Sequence, residues 1–307
     1  MLFYCGRFLF GAVLFSVSFG WASSTNSIGV IAALNPAVKQ HISKTVGTQG
    51  AVSVFQRAHQ HNPHAIYWVD RKLPDTYHVT LSLLHKKGGH TFTRPELTQL
   101  ENQLNLFKQK ARGLHINRSK GTRGYKANGY QLVLFTHSYQ GGKEVHHEYN
   151  ANTIHQLLKD HKNAPIAYAN LVLRVGTQNL LSNDWKWQEQ QFLNQCGSYL
   201  SKKGNHDLKT HITIANFYKY DASKYKITSH GNHKEIIDRK NPGAKIYNSP
   251  FASRHELQSL VDAFKAANGN FQRKGGKIPM NIDELHITER LPQGPQFKTI
   301  THARIKL

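Results

Sequence analysis

The clearest regularity along the chain is the alternation of polar and apolar positions in YHVTLSLL, residues 77–84, which predicts a strand with one buried face. THITIANF, residues 210–217, repeats that pattern. Further strands are predicted at 130–135, 166–175, 282–288 and 297–307, the last two joined by the turn Pro292-Gln293-Gly294-Pro295. Leu97, Leu100, Leu104 and Phe107 recur at helical spacing. Their helix opens at Thr93-Arg94-Pro95-Glu96, with Thr93 as N-cap and Glu96 three residues on, and closes at Gly113. A second helix is predicted over 183–202. A third starts from the cap Ser253, runs to about residue 267, and carries Leu257, Leu260, Val261 and Phe264. A strand-then-helix unit therefore occurs twice, which predicts an α+β fold.

Three stretches carry little pattern. Residues 23–66 read as an N-terminal extension with one helix at 51–59. Residues 136–163 are polar and rich in His and Lys, and read as an insertion. Residues 219–248 are basic and punctuated by Gly and Pro, so a long loop is expected there. The extreme N-terminus has Arg7, an apolar run from Phe8 to Phe19, and the small-residue end Gly20-Trp21-Ala22. Residues 1–22 therefore read as a secretory signal peptide, and the chain is expected to be exported, to a periplasm or beyond. The run is shorter than the roughly 20 apolar residues that span a bilayer, so no stable membrane span is expected in the mature chain.

Charge changes the picture most. The 307 residues hold 40 Lys+Arg against 18 Asp+Glu, a formal charge of +22, which points to a polyanionic substrate or partner. With 39% hydrophobic residues the chain is neither a disordered tail nor a multi-span membrane protein. Of two cysteines, Cys5 leaves with the signal peptide and Cys196 falls in a predicted helix as a small buried residue. That excludes a Cys-rich zinc or iron–sulfur site. The His59, His61, His64 group and the His146-His147-Glu148 group lack the spacing and partners of a metal site.

The candidate chemistry lies in His78-Val79-Thr80 and His211-Ile212-Thr213. On a strand, His and Thr two residues apart share a face. Two such strands facing each other present two imidazoles and two hydroxyls to one phosphodiester. One imidazole removes a proton from the attacking oxygen and the other protonates the leaving oxygen, while Thr80 and Thr213 hold the non-bridging oxygens. This chemistry needs no metal and no cofactor. Chance predicts about two His-x-Ser/Thr matches in a chain this rich in His, and four occur, at His41, His78, His211 and His286. The strand-then-helix context singles out His78 and His211. Phe217 and Ser82 share parity with the motif histidines, which makes them candidates for substrate contact. Arg71, Lys72 and Lys209 lie just before the motif strands and are candidates for drawing in phosphates.

With HVTLSLL, LKTHITIANF and the ending IDELHITERLPQGPQFKTI in this order, the chain from residue 67 to 307 resembles the 2H phosphoesterase superfamily, which includes 2′-5′ RNA ligase-like proteins and cyclic phosphodiesterases. The resemblance implies two pseudo-symmetric lobes of antiparallel sheet with outer helices and an active cleft between the sheets. It also implies a phosphodiesterase or cyclic phosphodiesterase, able in principle to run as a ligase, acting as a monomer. The expected substrates are RNA ends, 2′,3′-cyclic phosphates or 2′-5′ linked oligonucleotides. By the same resemblance His286 falls in the closing hairpin, where the family uses no catalytic His. The long spacing between the two motifs is absorbed by the stretch at 136–163. The rival reading is a non-catalytic protein that binds nucleic acid or an anionic surface on a degenerate form of that fold; an exported effector that destroys a nucleotide signal would share the leading chemistry.

Overall fold

The computed structural model describes residues 27–59, 65–71, 77–87, 91–113, 130–140, 143–174, 190–201, 211–221, 223–230, 233–241, 250–276, 278, 282–293 and 296–306. The predicted signal peptide, Lys72 and Lys209 lie outside these residues. Among the described residues no helix is long and apolar enough to cross a membrane.

The chain is an α+β protein in which, among the described residues, every strand pairing is antiparallel. Its strands are β1 (Ser27–Leu34), β2 (Ala65–Arg71), β3 (His78–Lys86), β4 (Gln131–Gln140), β5 (Lys143–Tyr149), β6 (Ile166–Arg174), β7 (Leu200–Ser201), β8 (His211–Asp221), β9 (Tyr225–His230), β10 (His233–Asp238), β11 (Ile282–Gln293) and β12 (Gln296–Lys306). The helices are α1 (Pro36–Val46), α2 (Thr48–His59), α3 (Arg94–Gly113), the single turn α4 (Leu157–Asp160), α5 (190–196) and α6 (Arg254–Arg273). One five-stranded sheet has the order β12-β11-β1-β3-β7, another β2-β8-β6-β4-β5, and β9 and β10 form a separate ribbon.

Three expectations are corrected. The supposed N-terminal extension holds a central strand: β1 lies between β11 and β3 in the first sheet. GVIAAL holds no polar residue, even at the partly exposed Ile31 and Ala33, so it shows no alternation to betray a strand. Helix α1 follows at once, capped by the Asn35 side chain on the Ala37 amide (2.9 Å) and closed at Gly47. That glycine has φ +65°, and a Cβ there would lie 1.6 Å from the Asn270 side chain of α6, so no other residue fits without movement. The stretch at 136–163 is no insertion hung outside the fold, because it completes β4 and adds β5 to the second sheet. The loop expected at 219–248 contains the end of β8 and the β9–β10 ribbon.

The two predicted strand–helix units are built alike. In β3 the register against β1 slips between Thr80 and Ser82, leaving Leu81 as a bulge. In β8 it slips against β6 between Thr213 and Ala215, leaving Ile214 as a bulge. Each bulge lies three residues past the histidine, and both strands show the same burial sequence over their first seven residues. Eight residues past each histidine stands a lysine, Lys86 or Lys219. Each pairs with the glutamate in the first turn of the following long helix, Glu96 in α3 and Glu256 in α6 (2.7 Å). The two glutamates also accept from the amides of the residues that precede their helices, Glu96 from Thr93 (2.8 Å) and Glu256 from Ser253 (3.0 Å). Ser253 returns the bond to the Glu256 amide (3.1 Å), completing a capping box. One carboxylate thus caps a helix and ties it to the motif strand.

The core faces of the sheets are covered by helices. Val79, Leu81, Leu84, Ile28 and Val30 join Leu100 and Leu104 of α3 in the buried cluster, as do Phe192 and Cys196 of α5. Under the second sheet, Phe55 of α2 meets Phe217 of β8 (ring centroids 5.0 Å) and Phe251 (5.9 Å).

Candidate functional site

The candidate residues lie on the opposite faces of the sheets. His78 and Thr80 alternate with buried Val79 and Leu81, so their partly exposed side chains share the face away from the core; His211 and Thr213 do the same beside Ile212 and Ile214. Although β3 and β8 belong to different sheets, they approach within 8 Å between Cα atoms. The strands that bear the two motifs therefore adjoin.

The bulges decide two other candidates. Past Leu81 the parity reverses, so Ser82 pairs with Val30 on the core face and is fully buried. Its hydroxyl makes no hydrogen bond. Past Ile214 the same reversal sends Phe217 into the core, 1% exposed and against Phe55. Neither is placed to touch a substrate on the motif face, which corrects the parity argument for both. The position after Ser82's counterpart, Ala215, is Asn216, which returns to the partly exposed face. Arg71, at the end of β2, pairs in register with Ala215.

Several residues beside His211 escaped the sequence reading. Arg174 of β6 is its direct register partner. The Arg174 guanidinium pairs with Glu148 and lies 5.8 Å from the Phe135 ring centre, while its Nε is buried without a hydrogen bond. Phe135 meets the His211 ring edge to face, with centroids 5.6 Å apart and planes at 82°. Arg174 and Phe135 are far from the motif in sequence, and only the antiparallel pairing of β8, β6 and β4 brings them together.

Farther along the same face runs a row of aromatic rings. His146 contacts His137 (4.3 Å), His137 stacks on Tyr168 (3.9 Å, 10° between planes) and Tyr168 stacks towards Tyr218 (6.0 Å). Trp68 of β2 is the register partner of Tyr218. Between this row and the motif lies Asn170, whose Nδ2 is 3.3 Å from His137 Nε2 and whose Oδ1 is buried without a partner.

The other side of the β4–β5 hairpin is different in kind. His161 is buried at 1% exposure, with Nε2 3.0 Å from Thr136 Oγ1 and Nδ1 2.9 Å from the Ala164 carbonyl. Burial pushes its pKa below the usual 6.5, against the opposing pull of that carbonyl. Burial likewise raises the Tyr149 phenol, whose hydroxyl donates to Asp160 (2.9 Å). These groups lie on the helix-covered side and hold the hairpin in place.

Among the described residues, no group of three or more His, Cys, Asp or Glu could hold a metal ion. No family model matches the chain, and no curated protein matches it significantly.

Proposed function

We propose that the chain is a phosphodiesterase of the 2H type, acting on RNA ends, 2′,3′-cyclic phosphates or 2′-5′ linked oligonucleotides. The observation that carries this reading is the duplication at the histidines. Two His-x-Thr strands with the same bulge and the same lysine–glutamate tie come from different sheets and adjoin one another. The motif faces of the two lobes then form the walls of the active cleft.

In hydrolysis of a cyclic phosphate, one imidazole takes the proton from water as its oxygen bonds to phosphorus. The other imidazole gives a proton to the ribose oxygen as the P–O bond breaks, and the two roles are exchanged when the product leaves. Thr80, Thr213 and the Arg174 guanidinium hold the non-bridging oxygens, where charge grows in the transition state. Two imidazoles suffice for both proton transfers, so the reaction proceeds without a metal. The base lies toward the row of Tyr168 and Tyr218. The contact once assigned to Phe217 thus passes to residues on the motif face. If residues 1–22 direct export, this chemistry operates outside the cytoplasm.

The test is incubation of the protein with 2′,3′-cyclic nucleotides and with 2′-5′ and 3′-5′ dinucleotides in excess chelator. Turnover of at least one class is expected. Salt-sensitive binding without turnover, unaltered by the double change His78→Ala/His211→Ala, would favour the non-catalytic binding protein instead.

A further inference from the structure

A third His-x-Thr, His286-Ile287-Thr288, lies on β11 of the first sheet. Its register places it on the motif face. Thr80 pairs with Ile31, Ile31 with His286, and His286 with Arg304. In the adjacent row His78 pairs with Ala33, Ala33 with Glu284, and Glu284 with Lys306. His286 Nε2 donates to Glu284 Oε2 at 2.8 Å, which fixes the imidazole. Arg304 and Lys306 are exposed on β12, the edge strand. That hydrogen bond, together with the His286, Lys306 and Arg304 charges, holds the Glu284 carboxyl below the usual carboxylate range in spite of its partial burial.

Successive strands are about 4.8 Å apart, so His286 lies about 10 Å and Arg304 about 14 Å from Thr80 across the sheet. One phosphate held between His78 and His211 cannot also reach these side chains. The strip between them is uncharged, made by Ile31 and Ala33 of β1. We propose that His286, Arg304 and Lys306, with Glu284 fixing the imidazole, form a second phosphate subsite that binds a further phosphate of the same oligonucleotide. The preferred substrate then carries at least one phosphate beyond the scissile one. This rests on the reading that His78 and His211 hold the scissile phosphodiester.

The experiment compares kcat/KM on a dinucleotide with a single phosphate, on the same dinucleotide bearing a 5′-phosphate, and on the trinucleotide. Wild type is expected to favour a two-phosphate substrate by tenfold or more, the trinucleotide or the 5′-phosphorylated form leading according to which phosphate the subsite takes. In Arg304→Gln/Lys306→Gln the preference falls to about one through KM, with kcat retained. His286→Asn loses part of it. Equal rates on all three substrates in wild type, or an unchanged preference in the double variant, would overturn the subsite. Anisotropy with the labelled trinucleotide separates this from the fate of the phosphodiesterase reading. Should no substrate turn over, that reading fails, and the subsite is judged by binding alone. Weaker binding with a salt slope shallower by about 0.7 in the double variant supports it, since each single-strand phosphate contact contributes about 0.7. Unchanged affinity and slope refute it.

Discussion

Ser82 gives the sharpest test of the bulge in β3. Its side chain is fully buried on the core face, paired in register with Val30, and its hydroxyl has no hydrogen-bond partner. Burying a hydroxyl without a partner costs about 1–3 kcal/mol in protein settings. Ser82→Ala removes that cost and forfeits only the dispersion contacts of one oxygen, a few tenths of a kcal/mol. The corresponding position of β8, after its own bulge, is already alanine, Ala215. The variant is therefore expected to be more stable by about 1 kcal/mol, a rise in Tm of roughly 1.5 °C for a chain of this size. The assay is thermal unfolding at pH 7 beside a denaturant titration, with phosphodiester turnover measured on the same preparations. Unchanged turnover with raised Tm is the expected result. A loss of turnover with no gain in stability would refute the reasoning, because it would return Ser82 to the substrate face.

The same reversal in β8 predicts that Phe217→Ala lowers stability by about 3–5 kcal/mol, read from the denaturant midpoint; a change in KM at unchanged stability would restore Phe217 to substrate contact. Glu256→Ala removes the carboxylate half of the α6 capping box, which accepts from the Ala252 and Ser253 amides, and leaves the Lys219 ammonium without its carboxylate partner, so a loss of about 3–5 kcal/mol is expected by the same titration. For His161 the folded pKa lies below the unfolded value of 6.5, so the unfolded chain binds the extra proton. Its contribution is complete above pH 6.5 and is lost as pH falls from there toward the folded pKa. Tm measured from pH 7.5 to 5 should therefore decline less steeply in His161→Gln than in wild type; parallel curves would contradict the assignment.

Much of the frame could be read from the residues, and the failures have physical causes. The Thr93–Glu96 and Ser253–Glu256 signatures mark α3 and α6 because a cap is a local device, written in four consecutive residues. The strand β1 was missed because its partly exposed positions, Ile31 and Ala33, are apolar like its buried ones, which erases alternation. The β4–β5 hairpin was missed because its covered side is built from Thr136, His147, Tyr149 and His161 as much as from aliphatic residues. Period-two reasoning placed His78, Thr80, His211 and Thr213 on shared faces, then failed one residue later, where Leu81 and Ile214 bulge. A bulge is set by pairing with a neighbouring strand, which a single segment does not reveal. Arg174 and the alignment of His286 with Thr80 depend on pairings between distant segments, and so emerge only from the sheet registers.

The proposed reaction divides acid and base between His78 and His211. The decisive measurement is the pH dependence of kcat/KM for the best phosphodiester substrate, in wild type and in His78→Ala and His211→Ala singly. A bell-shaped wild-type profile is expected, with a loss of about 10²–10⁴ in each variant and disappearance of one limb, a different limb in each. Wild-type rates and an intact bell in either variant would contradict it.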